Sequence, residues 1–195
     1  MNLVDAKEGV DEKHLKVIII GDSLVGKSSF VESFINGKIR RTTTGVDFAF
    51  KIVKCQEQVV KLQLWDINGQ LERYSPIRKL YYKDASACVI IFDVTQYKTF
   101  DSAIKWRKNV ETLSNVSSLP CLLLANKVDL QSHSVTDEEI EEQCNQNNFI
   151  GWGKISAQDR TNIDETMQFL VEKALISNGR LDSDVGVLLQ AESIK

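Results

Sequence analysis

Proline is nearly missing from this chain of 195 residues: Pro76 and Pro120 are the only two. No proline-rich linker divides the sequence and no internal repeat recurs, so a single domain is expected. Histidine is as scarce, and neither His14 nor His133 has a neighbouring ligand partner. The four cysteines, Cys55, Cys88, Cys121 and Cys144, lie far apart with no CxxC pair. That spacing excludes the usual zinc and dithiol redox sites and leaves buried, reduced thiols as the reading. An excess of one charge is lacking too. A net charge of −3 supplies no basic field, which excludes nucleic acid as the main partner. The longest uniformly apolar run, Ala87 to Phe92, is a buried strand's length, far below the ~20 residues of a membrane-spanning helix. Residues 1–15 carry Asp5, Glu8, Asp11 and Glu12 where a secretory leader would be basic and then apolar, so a cytoplasmic location is expected.

What is present is ample core material, 43% hydrophobic residues against 26% charged ones. Short apolar runs at Val17–Ile20, Val59–Ile67, Ala87–Val94 and Cys121–Ala125 read as strands bounded by turn or charged residues. Between and after them, Phe100, Ala103, Ile104, Val110 and Leu113 fall on one helical face, as do Ile163, Met167, Leu170, Val171, Ala174 and Leu175. Thr136 with Glu139, and Asn162 with Glu165, have the spacing of a capping box and predict two helix starts. Phe48–Cys55 and Val59–Ile67 flank the short polar stretch Gln56–Gln58 and read as a hairpin. The alternation predicts a three-layer α/β sandwich, its six-stranded sheet mostly parallel with one antiparallel edge strand. After Ser177 helical periodicity is lost. The expected organisation is a polar extension over 1–15, a folded domain over 16–177 and a flexible tail over 178–195.

Gly21 to Ser28, GDSLVGKS, fits GxxxxGK[ST] directly after an apolar strand and before the helical run Ser29–Ile35. The glycines let the backbone of Ser23, Leu24, Val25 and Gly26 curl so that its N–H groups, with those of the helix start through Ser29, make a concave anion site. Lys27 would meet the β- and γ-phosphates, and Ser28 would offer its hydroxyl to a Mg²⁺ bridging them. Asn126, Lys127 and Asp129 form NKVD at the carboxyl end of the strand Cys121–Ala125, where open α/β sheets bind ligands. The Asp129 carboxylate can accept from the ring N–H and amino group of guanine, donors that adenine does not present in that arrangement. Ser156 and Ala157, after another strand-like segment, are placed to offer a backbone N–H to the guanine oxygen. GTP and GDP with Mg²⁺ are the expected ligands.

With these segments placed, the chain resembles the Rab family of small GTPases over nearly all of Lys16 to Ser177. GDSLVGKSS (21–29), TGVDFAF (44–50), LQLWDINGQ (62–70), YYKDASACVIIFDVT (81–95), CLLLANKVDL (121–130) and the SA of 156–157 follow the family in order and spacing. LQLWDI, YYKDASA and the GW at 151–152 look most like the Rabs of lysosome-related organelles and the trans-Golgi. The resemblance implies the P-loop GTPase fold and a switch in vesicle traffic. Thr43 would reach Mg²⁺ and the γ-phosphate, Gly69 would donate its N–H to that phosphate, Asp66 would hold the metal through water, and Gln70 would orient the attacking water. Phe48, Trp65 and Tyr81 match the aromatic triad that Rabs present to effectors. Effector proteins, an exchange factor and a GTPase-activating protein are the implied partners.

The chain also departs from the family. Only Ser29 to Thr42 separate the phosphate loop from Thr43, which shortens the first switch, and Ile39 stands where an aromatic usually stacks on guanine. Asn68 replaces the usual alanine, Leu71 is inserted between Gln70 and the Glu72–Arg73 pair, and Gln158 stands where a lysine usually packs over the base. These changes predict weak intrinsic hydrolysis and leave open a GTP-binding scaffold with little or no turnover. A P-loop kinase would need a lid and an acceptor pocket that the sequence does not show. The chain ends AESIK, without the family's prenylated cysteines and without a polybasic patch. Attachment to Golgi, endosomal or lysosome-related membranes is therefore expected only through partners or in a longer, lipidated form.

Overall fold

The computed structural model describes residues 13–35, 45–69, 78–114, 119–179 and 192–194. Strand β1 (Lys13–Ile20) leads through the phosphate-loop sequence into α1 (Lys27–Ile35). Strands β2 (Val46–Cys55) and β3 (Gln58–Ile67) form the expected hairpin, with Cys55 opposite Gln58 and Gln56 at φ 53° in the two-residue turn. A positive φ at the first central position matches the twist of the flanking strands. Then follow α2 (Arg78–Tyr82), β4 (Ala87–Asp93), α3 (Tyr97–Leu113), β5 (Cys121–Asn126), α4 (Asp137–Gln146), β6 (Gly151–Ile155) and α5 (Ile163–Ser177). The strands lie in the order β2-β3-β1-β4-β5-β6, and only the β2–β3 pairing is antiparallel.

The six expected strands are all present, and a short seventh joins them: β7 (Glu192–Ile194) pairs parallel with β6, Gly153 opposite Ile194. These three residues lie within the span expected as a flexible tail. The register explains their approach, because a Cβ at Gly153 would stand 3.5 Å from the Ile194 Cβ, ordinary contact for a strand with no side chain in the way.

Each central strand is buried on both faces because helices cover both. Val17 and Ile19 of β1, Val89 and Ile91 of β4, and Leu122 and Leu124 of β5 pack toward α1 and α5, against Phe30, Phe34, Met167, Leu170 and Ala174. Ile18 and Ile20, Ile90 and Phe92, and Leu123 and Ala125 face the other way, toward Phe100, Ala103, Trp106 and Val110 of α3 and Ile140 and Cys144 of α4. Parallel strands buried on both sides read as continuous apolar runs, which is why Ala87–Phe92 carries no alternation. All four cysteines are free and buried, as expected.

One helix start follows the expected chemistry and one does not. Thr136 caps α4 by accepting from the Glu139 N–H while the Glu139 carboxylate accepts from the Thr136 N–H, a full capping box. Asn162 instead adopts a left-handed conformation, φ 55°, and its side-chain amide donates to Lys154 O at 2.9 Å. The helix starts where the Asn-Glu spacing places it, with Asn162 as its N-cap residue, but the side-chain cap is not made, because asparagine tolerates the left-handed region and the turn before α5 uses it so. Thr136→Ala is expected to lower stability by about 1 kcal/mol, read as a lower denaturation midpoint with an unchanged slope in urea.

Candidate functional site

Register brings the ends of five strands to one edge of the sheet. Ile19 lies opposite Asp66, Ile20 opposite Ile90, Asp93 opposite Asn126, and Asn126 opposite Ile155. The loop from Gly21 to Ser28, the Asp66 carboxylate, Asp93, the NKVD segment and Ser156–Ala157 therefore meet although they are scattered through the sequence. This is the edge at which open α/β sheets take ligands.

Two loop glycines are required by contacts as well as by conformation. Gly21 has φ 142°, and a Cβ there would lie 2.2 Å from Ile91 O; Gly26 has φ 99°, and its Cβ would lie 2.2 Å from Asn126 Nδ2. The loop so formed wraps the Lys27 side chain, which is 7% exposed. Its ammonium donates to Gly21 O at 3.0 Å and Asp22 O at 2.7 Å. Burial pushes the Lys27 pKa down, and the nearby Asp66 and Asp22 charges push it back up, leaving it at about 8. Ser28 Oγ donates to Asp66 Oδ2, and Asp66 is 2% exposed at the end of β3.

The donor set fits a magnesium diphosphate. A buried ammonium held only by neutral carbonyls gains charge-assisted hydrogen bonds when phosphate oxygens replace them. A serine hydroxyl touching a carboxylate supplies hard oxygen donors, which suit Mg²⁺. Gly69 stands against the same loop: a Cβ there would be 2.5 Å from Gly21 O and 3.2 Å from Ser23 N. Asn68 N donates to Gly45 O at 3.2 Å, tying this segment to the start of β2. Thr43, Gln70, Ile39 and Leu71 lie outside the described residues.

At the other end of the site the side chains lock onto one another. Asn126, 2% exposed, donates from Nδ2 to Val25 O at 2.8 Å and accepts at Oδ1 from Ala157 N at 3.1 Å. Ser156 N donates to Thr161 O at 3.2 Å. The backbone N–H groups of Ser156 and Ala157, one of which was expected to face the guanine oxygen, are both engaged within the protein, by Thr161 and by Asn126. Asp129 is exposed, and its Oδ1 accepts from the buried Ser156 Oγ at 2.7 Å, while Asp159 N donates to that hydroxyl at 3.0 Å. Lys127 adopts φ 71°, and its ammonium lies 2.6 Å from Asp93 Oδ2. Burial raises the Asp93 pKa, but hydrogen bonds from Lys127 and Thr95 outweigh burial and hold it below the usual carboxylate value. Ser23, Leu24 and Gln158 are exposed at the mouth of this edge.

Asp93 and Trp106 were missed in the sequence. Asp93 ends the apolar run of β4, and a carboxylate closing a buried strand at this edge was the available signal. Trp106 shares a helical face with Ala103 and Val110, and its indole N–H donates to Asp22 Oδ1 at 2.9 Å. Of the aromatic trio, Phe48 and Trp65 meet edge to face with centroids 4.5 Å apart, and Lys16 Nζ lies 3.7 Å from the Trp65 ring centre. Tyr81 is half-buried on α2, packed against the same apolar cluster as Trp65.

A curled glycine loop enclosing a lysine at a helix start, with an acidic strand end beside its serine, defines the P-loop nucleotide-binding class. The Ras family model matches residues 16–176. Among curated proteins, the chain is 43% identical over 167 residues to Ras-related protein Rab-7L1 of Homo sapiens, covering 82% of each chain. It is 44% identical over 172 residues to Ras-related protein Rab-32B of Dictyostelium discoideum, covering 84% of this chain and 66% of that one. To Ras-related protein Rab-32 of Homo sapiens it is 38% identical over 175 residues, 85% of this chain and 77% of the relative. The chain belongs to the Ras family as a Rab-type small GTPase.

The Lys27 environment sets opposite pH trends for stability and for phosphate. Its folded pKa, about 8, lies below the ordinary 10.5. The unfolded chain therefore binds more protons between those values, and this group's contribution to stability rises with pH over that window. Phosphate needs the charged form, so nucleotide affinity is expected to fall as pH rises above about 8. Calorimetric titration with GDP from pH 7 to 10, beside thermal unfolding of the nucleotide-free chain, checks both slopes; a pH-independent affinity contradicts this account.

Proposed function

We propose that this chain is a guanine-nucleotide switch that binds GTP and GDP with Mg²⁺, hydrolyses GTP slowly, and acts in membrane traffic through partners that read its nucleotide state. The observation that carries the reading is the buried Lys27 ammonium inside its loop, with the Ser28–Asp66 pair beside it. In this reading Lys27 and the N–H groups from Ser23 to Ser29 hold the phosphates, and Ser28, Thr43 and Asp66, the last through water, hold the metal. Bound Mg²⁺ neutralises charge on the phosphates. Asp129, oriented by Ser156, accepts from the guanine edge. Asn126 and Lys127 act by fixing the loops around it, on Val25, Ala157 and Asp93. Ala157 and Gln158 border the base.

Gly69 is the hinge of the switch in this proposal. Its backbone lies against the loop at Gly21 and Ser23, where no side chain fits, and its N–H would be donated to the γ-phosphate. Gln70 would orient the attacking water. Leu71, directly after Gln70, and Asn68, before Gly69, support slow turnover, because a misplacement near 1 Å costs on the order of 10²-fold in rate. Effectors would read Phe48, Trp65 and Tyr81, and an exchange factor and an activating protein would act on the same switch. No helix among the described residues is long and apolar enough to cross a membrane. The chain's association with Golgi, endosomal or lysosome-related membranes would be peripheral.

Asp129→Ala removes two charge-assisted hydrogen bonds to guanine, so GDP affinity is expected to fall by roughly 10²–10⁴-fold with little change for ATP. Competition binding with both nucleotides measures it, and a uniform loss for both would refute the base-reading role. In a single-turnover assay of GTP-loaded protein, deletion of Leu71 is expected to raise hydrolysis by on the order of tenfold. An unchanged or lower rate argues for the scaffold alternative.

A further inference from the structure

We infer that Trp106 of α3 is a positioning residue for the phosphate loop: its indole N–H, donated to Asp22, holds in place the loop peptide on which both Lys27 and Gly69 rest. The inference builds on the nucleotide-binding reading and adds to it a residue outside the motifs that define such sites.

Two hydrogen bonds, a close approach of backbone and a charge effect meet at Asp22. Its carboxylate Oδ1 accepts from Trp106 Nε1 at 2.9 Å, across 84 positions of sequence. Its carbonyl oxygen accepts from Lys27 Nζ at 2.7 Å. Its carbonyl carbon lies 3.2 Å from the position of a Gly69 Cβ, with the neighbouring Ser23 N equally near. Its charge also helps keep the buried Lys27 protonated. The residue therefore touches the phosphate-binding lysine and the first residues after β3 at once.

Trp106 is suited to hold it. The side chain is 2% exposed and packs in the apolar layer with Phe100, Ala103 and Val110. An indole ring has few rotamers, and its nitrogen can only donate. Helix α3 is fixed independently of the loop, since Arg107 donates to Asn148 O at 3.1 Å and Phe92 packs on Phe100 with centroids 5.0 Å apart. The hydrogen bond thus ties a loop of strained backbone, Gly21 at φ 142° and Leu24 at φ 67°, to a rigid element behind it. A hydrogen bond to a charged acceptor is worth about 1.5–3 kcal/mol, which corresponds to roughly ten- to a hundredfold in a rate or affinity that depends on it.

The test is a double-mutant cycle on dissociation of a fluorescent GDP from the full chain in Mg²⁺, with thermal unfolding of every variant. Trp106→Phe keeps an aromatic ring and removes the donor; Asp22→Ala removes the acceptor. Each is expected to accelerate dissociation about tenfold or more, and the double variant to be no faster than Asp22→Ala alone. Asp22→Asn, which keeps an acceptor oxygen but loses the charge, is expected to give a dissociation rate between those of the parent chain and Asp22→Ala. Two outcomes overturn the inference: Trp106→Phe leaving dissociation within twofold of the parent chain, or accelerating it equally with and without Asp22, which marks a packing effect only. If Trp106→Phe fails to fold, Asp22→Ala against Asp22→Asn still decides, because equal dissociation rates for the two exclude the hydrogen bond. A parent chain that holds no GDP overturns the functional reading and this inference with it.

Discussion

An ammonium group buried in a ring of its own backbone carbonyls is the constraint around which this molecule is arranged. Lys27 is the first residue of α1, and its buried ammonium cannot be charged there without nearby acceptors. The backbone of Gly21 and Asp22 provides neutral ones, and Asp66 and Asp22 provide the field that keeps the proton on. Such a group is only partly compensated. A ligand bearing several anionic oxygens would complete what the protein leaves incomplete.

The second feature is that the two ends of the site are one object. Asn126 joins Val25 of the phosphate loop to Ala157 of the last βα turn, and Gly26 is close enough to its amide that no Cβ would fit. Lys127 reaches back to Asp93, and Ser156 holds Asp129. The loop at Ser156–Ala157 and the loop at Val25 are therefore linked through the single side chain of Asn126. Gly69 and Trp106 grip the same loop from two other sides. The sheet makes this possible by ending β1, β3, β4, β5 and β6 at one edge, with two helical layers keeping the strands dry and rigid.

Much of this was legible in the residues. Strand positions followed from apolar runs, the hairpin from a polar turn between two of them, and α4 from a capping box whose two hydrogen bonds are both made. Gly21 to Ser28 announced a phosphate loop because its chemistry is local: glycines for the curl, then lysine and serine at a helix start. The Asn162–Glu165 spacing marked the start of α5 but not its chemistry, because asparagine serves caps and left-handed turns alike, and only the path of the chain after β6 selects between them. The strand at Glu192–Ile194 had no periodicity to reveal it, since three residues are too few to show one.

The sequence by itself determined the layered α/β fold and the glycine loop between β1 and α1, because apolar runs, helical periodicity and the loop motif are local patterns. Tertiary structure decided what the site residues touch. That Asn126 and Ala157 bind each other, that Lys127 serves Asp93, and that a tryptophan on α3 anchors Asp22 depend on strand register and helix packing. These contacts join residues tens of positions apart, and no local rule of spacing or propensity encodes such a meeting.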